Sequence, residues 1–141
     1  VTEANSWEDQ LIADLRANGG RVSQGPLAGD SLLVLYTTGA KSGERRRSIL
    51  NYHKAGDAYV VAGTAGGRPT NPAWVANIAA NPDVTIEVGN KELDATATVL
   101  TGADRDRAWA AHVAHAPRFA DYEKSVTART IPMVKISPKG A

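Results

Sequence analysis

The sequence predicts one α+β domain, mainly β, in which about six strands form a mixed or antiparallel sheet with helices at its periphery. Runs rich in Val, Ile, Leu, Tyr and Thr recur at strand length between short turns containing Gly, Asn or Asp, while helical patterns with start signals are fewer. A chain of 141 residues suits a single core. The expected organisation is an N-terminal amphipathic helix and linker over 1–24, then the sheet-bearing domain over 25–141.

Taken from the N-terminus, residues 6–15 read as an amphipathic helix, with Ser6 as N-cap, Asp9 as the reciprocal acid, and Trp7, Leu11, Ile12 and Leu15 on one apolar stripe. Gly19-Gly20 stops it. The helix is expected to lie against the sheet; peripheral membrane contact or cover over a ligand stays open, although Glu8, Asp9 and Asp14 oppose attraction to anionic lipid. The chain turns over 25–30, and residues 31–38 are too apolar to alternate, which predicts a central strand. The next strand puts Arg47, Ile49, Asn51 and His53 on one face and Arg46, Ser48, Leu50 and Tyr52 on the other. Ala55-Gly56-Asp57 then turns the chain into a strand over 58–63, so these three strands are expected side by side.

Beyond the flexible Gly63-Thr64-Ala65-Gly66-Gly67-Arg68 loop, Asn71 is placed to cap a helix that begins at Pro72 and buries Trp74, Val75 and Ile78. Asn81-Pro82 ends it. Residues 84–88 and 92–100 pair across Gly89-Asn90, with Leu93, Ala95, Ala97 and Val99 alternating. Thr101 and Asp104 form a second capping box, opening a helix over 103–114 with Ala108, Trp109, His112 and Val113 inward. Pro117 interrupts it, a short helix carries Phe119, Tyr122 and Val126, and a last strand over 131–136 holds Pro132 at its start or at an edge.

Composition narrows the chemistry. The absence of cysteine excludes a disulfide scaffold, a thiolate zinc site and a cysteine nucleophile, and agrees with a cytoplasmic location. No run approaches the roughly 18 apolar residues of a membrane span, and the segment from Val1 shows neither a basic n-region nor an apolar h-region, so a chain neither spanning nor exported is expected. With 16 basic and 15 acidic side chains, bulk charge neither recruits nor repels a polyanion, and a nucleic-acid partner is not expected. The distribution is uneven: Lys41, Arg45, Arg46, Arg47 and Lys54 crowd around a glycine turn.

That turn, Thr37-Thr38-Gly39-Ala40-Lys41-Ser42-Gly43-Glu44-Arg45-Arg46-Arg47, can aim backbone N–H groups and guanidinium forks at one anion; it can equally be a hairpin tip solvated by its charges. It lacks the Gly-Lys-Ser/Thr end and following helix of a P-loop. The loop Gly66-Gly67-Arg68 leading to Asn71-Pro72-Ala73-Trp74 offers a second anionic contact, or else only a cap and a core tryptophan. His53, His112 and His115 fit no metal-ligand spacing, so structural or solvated roles are expected and no metal. Tyr36, Tyr52, Tyr122, Trp74 and Phe119 can wall a flat conjugated ring or fill the core.

These residues together resemble the deazaflavin (coenzyme F420)-dependent nitroreductase and quinone reductase family of actinobacteria. The likeness runs from about Gly29 to Ile136 and rests on the residues from Thr37 to Arg46, those from Gly66 to Asn77, Ala80-Asn81-Pro82, Asp121-Tyr122 and Arg129-Thr130-Ile131-Pro132. It implies a split β-barrel over 25–141 that binds the deazaflavin F420 in a groove beside the barrel. It also implies that Lys41, Ser42 and Arg46 hold the cofactor tail, with Arg47, Ser48, Ile49, Leu50 and Asn51 running beside it. Further implied contacts are Ala62, Gly63, Thr64 and Ala65, then Ala73, Trp74, Val75, Ala76 and Asn77, and Phe119.

Departures from the family pattern concern the acceptor. Asn51 stands where the prodrug-activating nitroreductase has tyrosine, Thr64 where it has serine, and Ala116, Phe119 and Tyr122 where it has three tyrosines. The resemblance therefore implies hydride transfer from reduced F420 to an electron-poor conjugated small molecule, a quinone, enone or coumarin-type lactone, with nitroaromatics less favoured. Tyr122 and Thr64 are the expected catalytic hydrogen-bond donors. The alternatives are a non-catalytic F420 carrier and a split-barrel protein holding FMN or haem.

Overall fold

The computed structural model describes residues 7–23, 28–127 and 129–139. The Ser6 cap, residues 25–27 of the expected turn and the boundary between 24 and 25 lie outside the described residues. The strands are β1 (Leu32–Thr38), β2 (Arg45–Asn51), β3 (His53–Ala55), β4 (Ala58–Ala62), β5 (Asp83–Val88), β6 (Lys91–Val99) and β7 (Met133–Pro138). The helices are α1 (Trp7–Ala17), α2 (Ala73–Ala80), α3 (Gly102–His115) and α4 (Ala120–Ser125), with short 3-10 turns at Ala65–Gly67 and Pro117–Phe119.

All seven strands join one antiparallel sheet in the order β2-β1-β5-β6-β7-β4-β3. The order corrects the expectation that the strands at 31–38, 46–53 and 58–63 lie side by side. The single strand expected to run through His53 breaks at Tyr52, so β2 and β3 become the two opposite edges of the sheet. One residue links those edges, which forces the sheet to curl back on itself: this is the half-barrel of the split-barrel fold.

The alternation of side chains across the curled sheet feeds two cores. Leu33, Leu35, Val61, Ile86, Val134 and Ile136 fill the barrel with Trp74 and Ile78 of α2. Val60, Ala62 and Met133, pointing the other way from β4 and β7, pack under Trp109 of α3 and Phe119. Pro132 falls just before β7, which is an interior strand, so its missing N–H removes no ladder bond. The β5–β6 hairpin closes with Val88 opposite Lys91, and Gly89 takes the positive φ of 65° that the two-residue turn demands.

The α1 helix packs Leu15 with Val22 and Leu32 over the outside of β1. Two ion-pair groups fasten it. Arg16 grips the buried carboxylate of Glu87 through Nε at 2.5 Å and Nη2 at 2.9 Å, and Arg47 of β2 reaches Glu8 at 3.3 Å and Asp9 at 2.9 Å. Trp7, expected on the buried stripe, is instead 68% exposed.

The predicted side-chain caps of α2 and α3 are not made. Asn71 Oδ1 accepts from Arg129, and Pro72 occupies the N-cap of α2. Asp104 pairs with Arg107, and Thr101 makes no side-chain cap bond.

Candidate functional site

The β1–β2 connection forms the floor of a cleft of about 1140 Å³. Gly39 N–H donates to the Glu44 carbonyl at 2.7 Å and Gly43 N–H to the Gly39 carbonyl at 2.9 Å, which closes the turn over residues 39–44. A Cβ at Gly39 would lie 2.5 Å from Ser42 Oγ and 3.3 Å from the Glu44 carbonyl, so a side chain there would displace the Ser42 hydroxyl.

Asn77 then pins this turn to α2. Its Oδ1 accepts from Ala40 N–H at 2.9 Å and its Nδ2 donates to Thr37 Oγ1 at 3.2 Å, with the side chain buried. Two elements 37 residues apart are thus fixed as the two walls of one cleft.

Among the described lining residues four are cationic, Lys41, Arg46, Arg47 and Arg68, and none is acidic. Among the described residues Arg46 pairs only with the exposed Glu44, at 3.2 Å, a pair that water screens and a ligand can displace. The basic cluster seen in sequence divides here. Arg45 does not line the cleft but stacks on Tyr36, 4.0 Å from the ring centroid, while Lys54 lies over Tyr59 at 3.9 Å, at the opposite edge of the sheet. The opposing wall is small and apolar, with Ala65, Ala73 and Ala76 around Trp74. A cation-lined floor facing such a wall can take a flat conjugated ring that carries an anionic tail.

Of the residues expected at the site, Lys41, Ser42, Arg46, Arg47, Ser48, Ala65, Ala73, Trp74, Ala76 and Asn77 line this cleft. The others stand around it. Ile49 packs toward α1, and Leu50 and Val75 belong to the barrel core. Asn51 Oδ1 is buried without a partner among the described residues. Ala62 lies under α3, and Gly63 is wedged against Pro132, where a Cβ would meet Cγ at 2.6 Å. Thr64 offers its carbonyl to Arg129 Nη2 at 2.9 Å.

Phe119 is buried edge-on to His112, with centroids 4.6 Å apart. Tyr122 lies beside it, ring centroids 5.4 Å apart and tilted by 59°, and its ring approaches Gly67 of the 65–67 turn. Its phenol has no hydrogen-bond partner among the described residues.

Sequence reasoning missed two participants, Trp7 and Arg129. Trp7 stands exposed at the cleft mouth, held there by the ion pairs of Glu8 and Asp9 with Arg47. Arg68, whose loop was expected to offer a second anionic contact, joins the cationic lining, and Arg129 braces that loop. Arg129 falls within a recognised motif, yet its partners are 58 to 66 residues away in sequence, beyond any spacing rule.

Away from the cleft, His53 Nδ1 and His112 Nδ1 meet at 2.8 Å. Burial, then the His115 charge, lowers His53; burial, then His53, His115 and Arg118, holds His112 down to about 4. No group of three or more metal-ligating side chains occurs among the described residues. No described helix is long and apolar enough to cross a membrane.

Comparison with known proteins gives the same reading of fold and lineage. Residues 9–138 match the family model described as F420H(2)-dependent quinone reductase. The chain is similar to the F420H(2)-dependent quinone reductase Rv1261c of Mycobacterium tuberculosis, 38% identical over 125 residues, which are 86% of this chain and 83% of that protein. A solved F420-H2 dependent reductase (FDR-A) superposes with a TM-score of 0.68 at 36% identity, covering 75% of this chain and 93% of that one. A structure described as a domain-swapped dimer reaches 0.69 at 31% identity, covering 94% of this chain and all, 100%, of that one.

Proposed function

Since the chain belongs to the F420H2-dependent quinone reductase family, we propose that it binds F420 in the cleft beside β2 and reduces an electron-poor conjugated acceptor there. The acceptor class is a quinone, enone or coumarin-type lactone, with nitroaromatics less favoured. The observation that carries the reading is the cleft lining: four cations, no acid, and a small apolar wall around Trp74.

The bound deazaflavin supplies a hydride. This chain's residues do the rest. Lys41, Ser42 and Arg46 would hold the anionic tail, Arg46 by exchanging its exposed partner Glu44 for the ligand. Arg47 contributes charge while staying tied to α1, so it shapes the field more than it grips. Ala73, Ala76 and Trp74 would exclude water from one face of the ring. The free phenol of Tyr122 and the Thr64 hydroxyl are the proposed donors to an acceptor oxygen that gains charge. No nucleophile or metal is needed, and the proton can come from solvent.

Titration of oxidised F420, followed by turnover of reduced F420 with a panel of quinones and conjugated lactones, tests the proposal. Arg46→Ala should weaken F420 by roughly 10- to 100-fold, as for one lost charge-assisted contact. Unchanged F420 affinity in the folded variant, or a wild-type protein that prefers FMN or haem, would sink it.

A further inference from the structure

Arg129 is the most heavily bonded side chain near the cleft, and it does not line it. All five of its N–H donors are used. Nη1 donates to the Gly63 carbonyl at 2.9 Å and to Asn71 Oδ1 at 2.8 Å, and Nη2 to the Thr64 carbonyl at 2.9 Å and the Arg68 carbonyl at 3.1 Å. Nε donates to that same Arg68 carbonyl at 3.3 Å. Every acceptor belongs to the loop 63–71. Arg129 forms no ion pair with a carboxylate among the described residues, so its charge is balanced by carbonyl dipoles alone.

The loop needs such a clamp. Ala65 sits at φ 51°, a costly conformation for alanine that persists only where its surroundings impose it. The loop's own backbone bonds are few: Gly63 N–H to the Pro132 carbonyl, Gly67 N–H to the Thr64 carbonyl, and Arg68 N–H to the Ala65 carbonyl. Yet its Ala65, Arg68, Thr70 and Asn71 form one wall of the cleft, and its Gly67 backs onto Tyr122.

We infer that Arg129 is a positioning residue, which fixes the 63–71 loop as a wall of the cleft and thereby sets cofactor affinity and acceptor alignment without touching either. The inference rests on the reading of the cleft as the F420 site. Only a planar fork can meet four acceptors at once, since an ammonium is a single point with three donors.

The experiment compares wild type, Arg129→Ala and Arg129→Lys in three measurements: amide hydrogen exchange over 63–71 in the cofactor-free protein, F420 affinity, and kcat and KM separately. Both variants should show faster exchange confined to the loop and an F420 affinity lower by about 10-fold or more. Millimolar guanidinium, but not ammonium at equal ionic strength, should restore affinity to Arg129→Ala and leave wild type unchanged.

Wild-type exchange and affinity in Arg129→Ala would overturn the inference, as would full activity in Arg129→Lys or equal rescue by ammonium. If Arg129→Ala does not fold, Arg129→Lys with its loop exchange decides. A wild-type protein that fails to bind F420 overturns the proposed function instead, and loop exchange in the cofactor-free variants still shows whether Arg129 holds the wall.

Discussion

Lowering the pH should destabilise this protein through one pair of histidines. His112 is fully buried on α3 and His53 nearly so at the start of β3, and their Nδ1 atoms are 2.8 Å apart. One ring donates its Nδ1–H and the other accepts, so the contact exists only while at least one Nδ1 is unprotonated. Burial and the neighbouring His53, His115 and Arg118 hold His112 down to about 4, against 6.5 for an exposed histidine.

A group whose folded pKa lies below its unfolded value binds more protons when unfolded. The native state therefore keeps its full stability above pH 6.5 and loses it progressively toward pH 4. The difference corresponds to a loss on the order of 3 kcal/mol from His112 alone.

Urea unfolding across this range, on wild type and His112→Phe, measures it. The variant lacks the titrating group and keeps an aromatic ring, so it should start less stable, with His53 left unpaired, and fall less steeply with acid. Carboxylate protonation affects both proteins and cancels in the difference. Parallel curves for the two proteins would refute the reasoning.

Two further substitutions probe the site. Tyr122→Phe should lower kcat/KM by roughly 5- to 30-fold for a quinone or lactone while leaving F420 affinity and melting temperature near wild type; wild-type kcat/KM with every acceptor would remove Tyr122 from the chemistry. Asn77→Ala leaves Ala40 N–H and the buried Thr37 hydroxyl without their partner, so unfolding should cost about 2 kcal/mol less and F420 binding should weaken; chemical denaturation and the F420 titration check the two effects separately.

Local features were legible where the residues that decide them are neighbours. Gly89-Asn90 between alternating runs gave the β5–β6 turn with its register, and the apolar spacing of Trp74, Val75 and Ile78 marked the buried face of α2. The crowding of glycines and cations in the turn after β1 was legible too, because those residues are sequence neighbours, and Lys41, Ser42 and Arg46 do line the cleft. What escaped was decided at a distance. Nothing at Tyr52 announces that the strand breaks there and sends β2 and β3 to opposite edges, because the sheet order depends on β1 pairing with β5, some 50 residues on. Asn71 and Asp104 looked like caps because the competing partners, Arg129 and Arg107, are invisible to a capping rule. His53 and His112, separated by 59 residues, became a pair only through the packing of α3 on β3.

The same distances divide the site into two halves with different constraints. The cationic floor is fixed twice over, by the β1–β2 register that ends at Thr38 opposite Arg45 and by the buried Asn77 pin to α2. A substitution there disturbs the sheet or a buried hydrogen bond, so residues that would grip a cofactor tail are held by the demands of folding as well as of binding. The acceptor side has no such double constraint. Tyr122 rides on α4, a six-residue helix with no buried residue of its own, and Trp7 stands exposed at the start of α1. Trp7 can change size and polarity without opening a cavity in either core, and Tyr122 touches only the edge of the second core, beside Phe119. Of the departures that the resemblance implies, Ala116, Phe119 and Thr64 lie off the cationic floor, while Asn51 stands on β2 itself. Two of those departures, Ala116 and Phe119, have become part of the core under α3. Under the proposed function, their place in the core would remove polar donors from the acceptor end and leave the Tyr122 phenol as the donor retained there, which would favour a quinone or lactone carbonyl over a larger ligand needing several hydroxyl contacts.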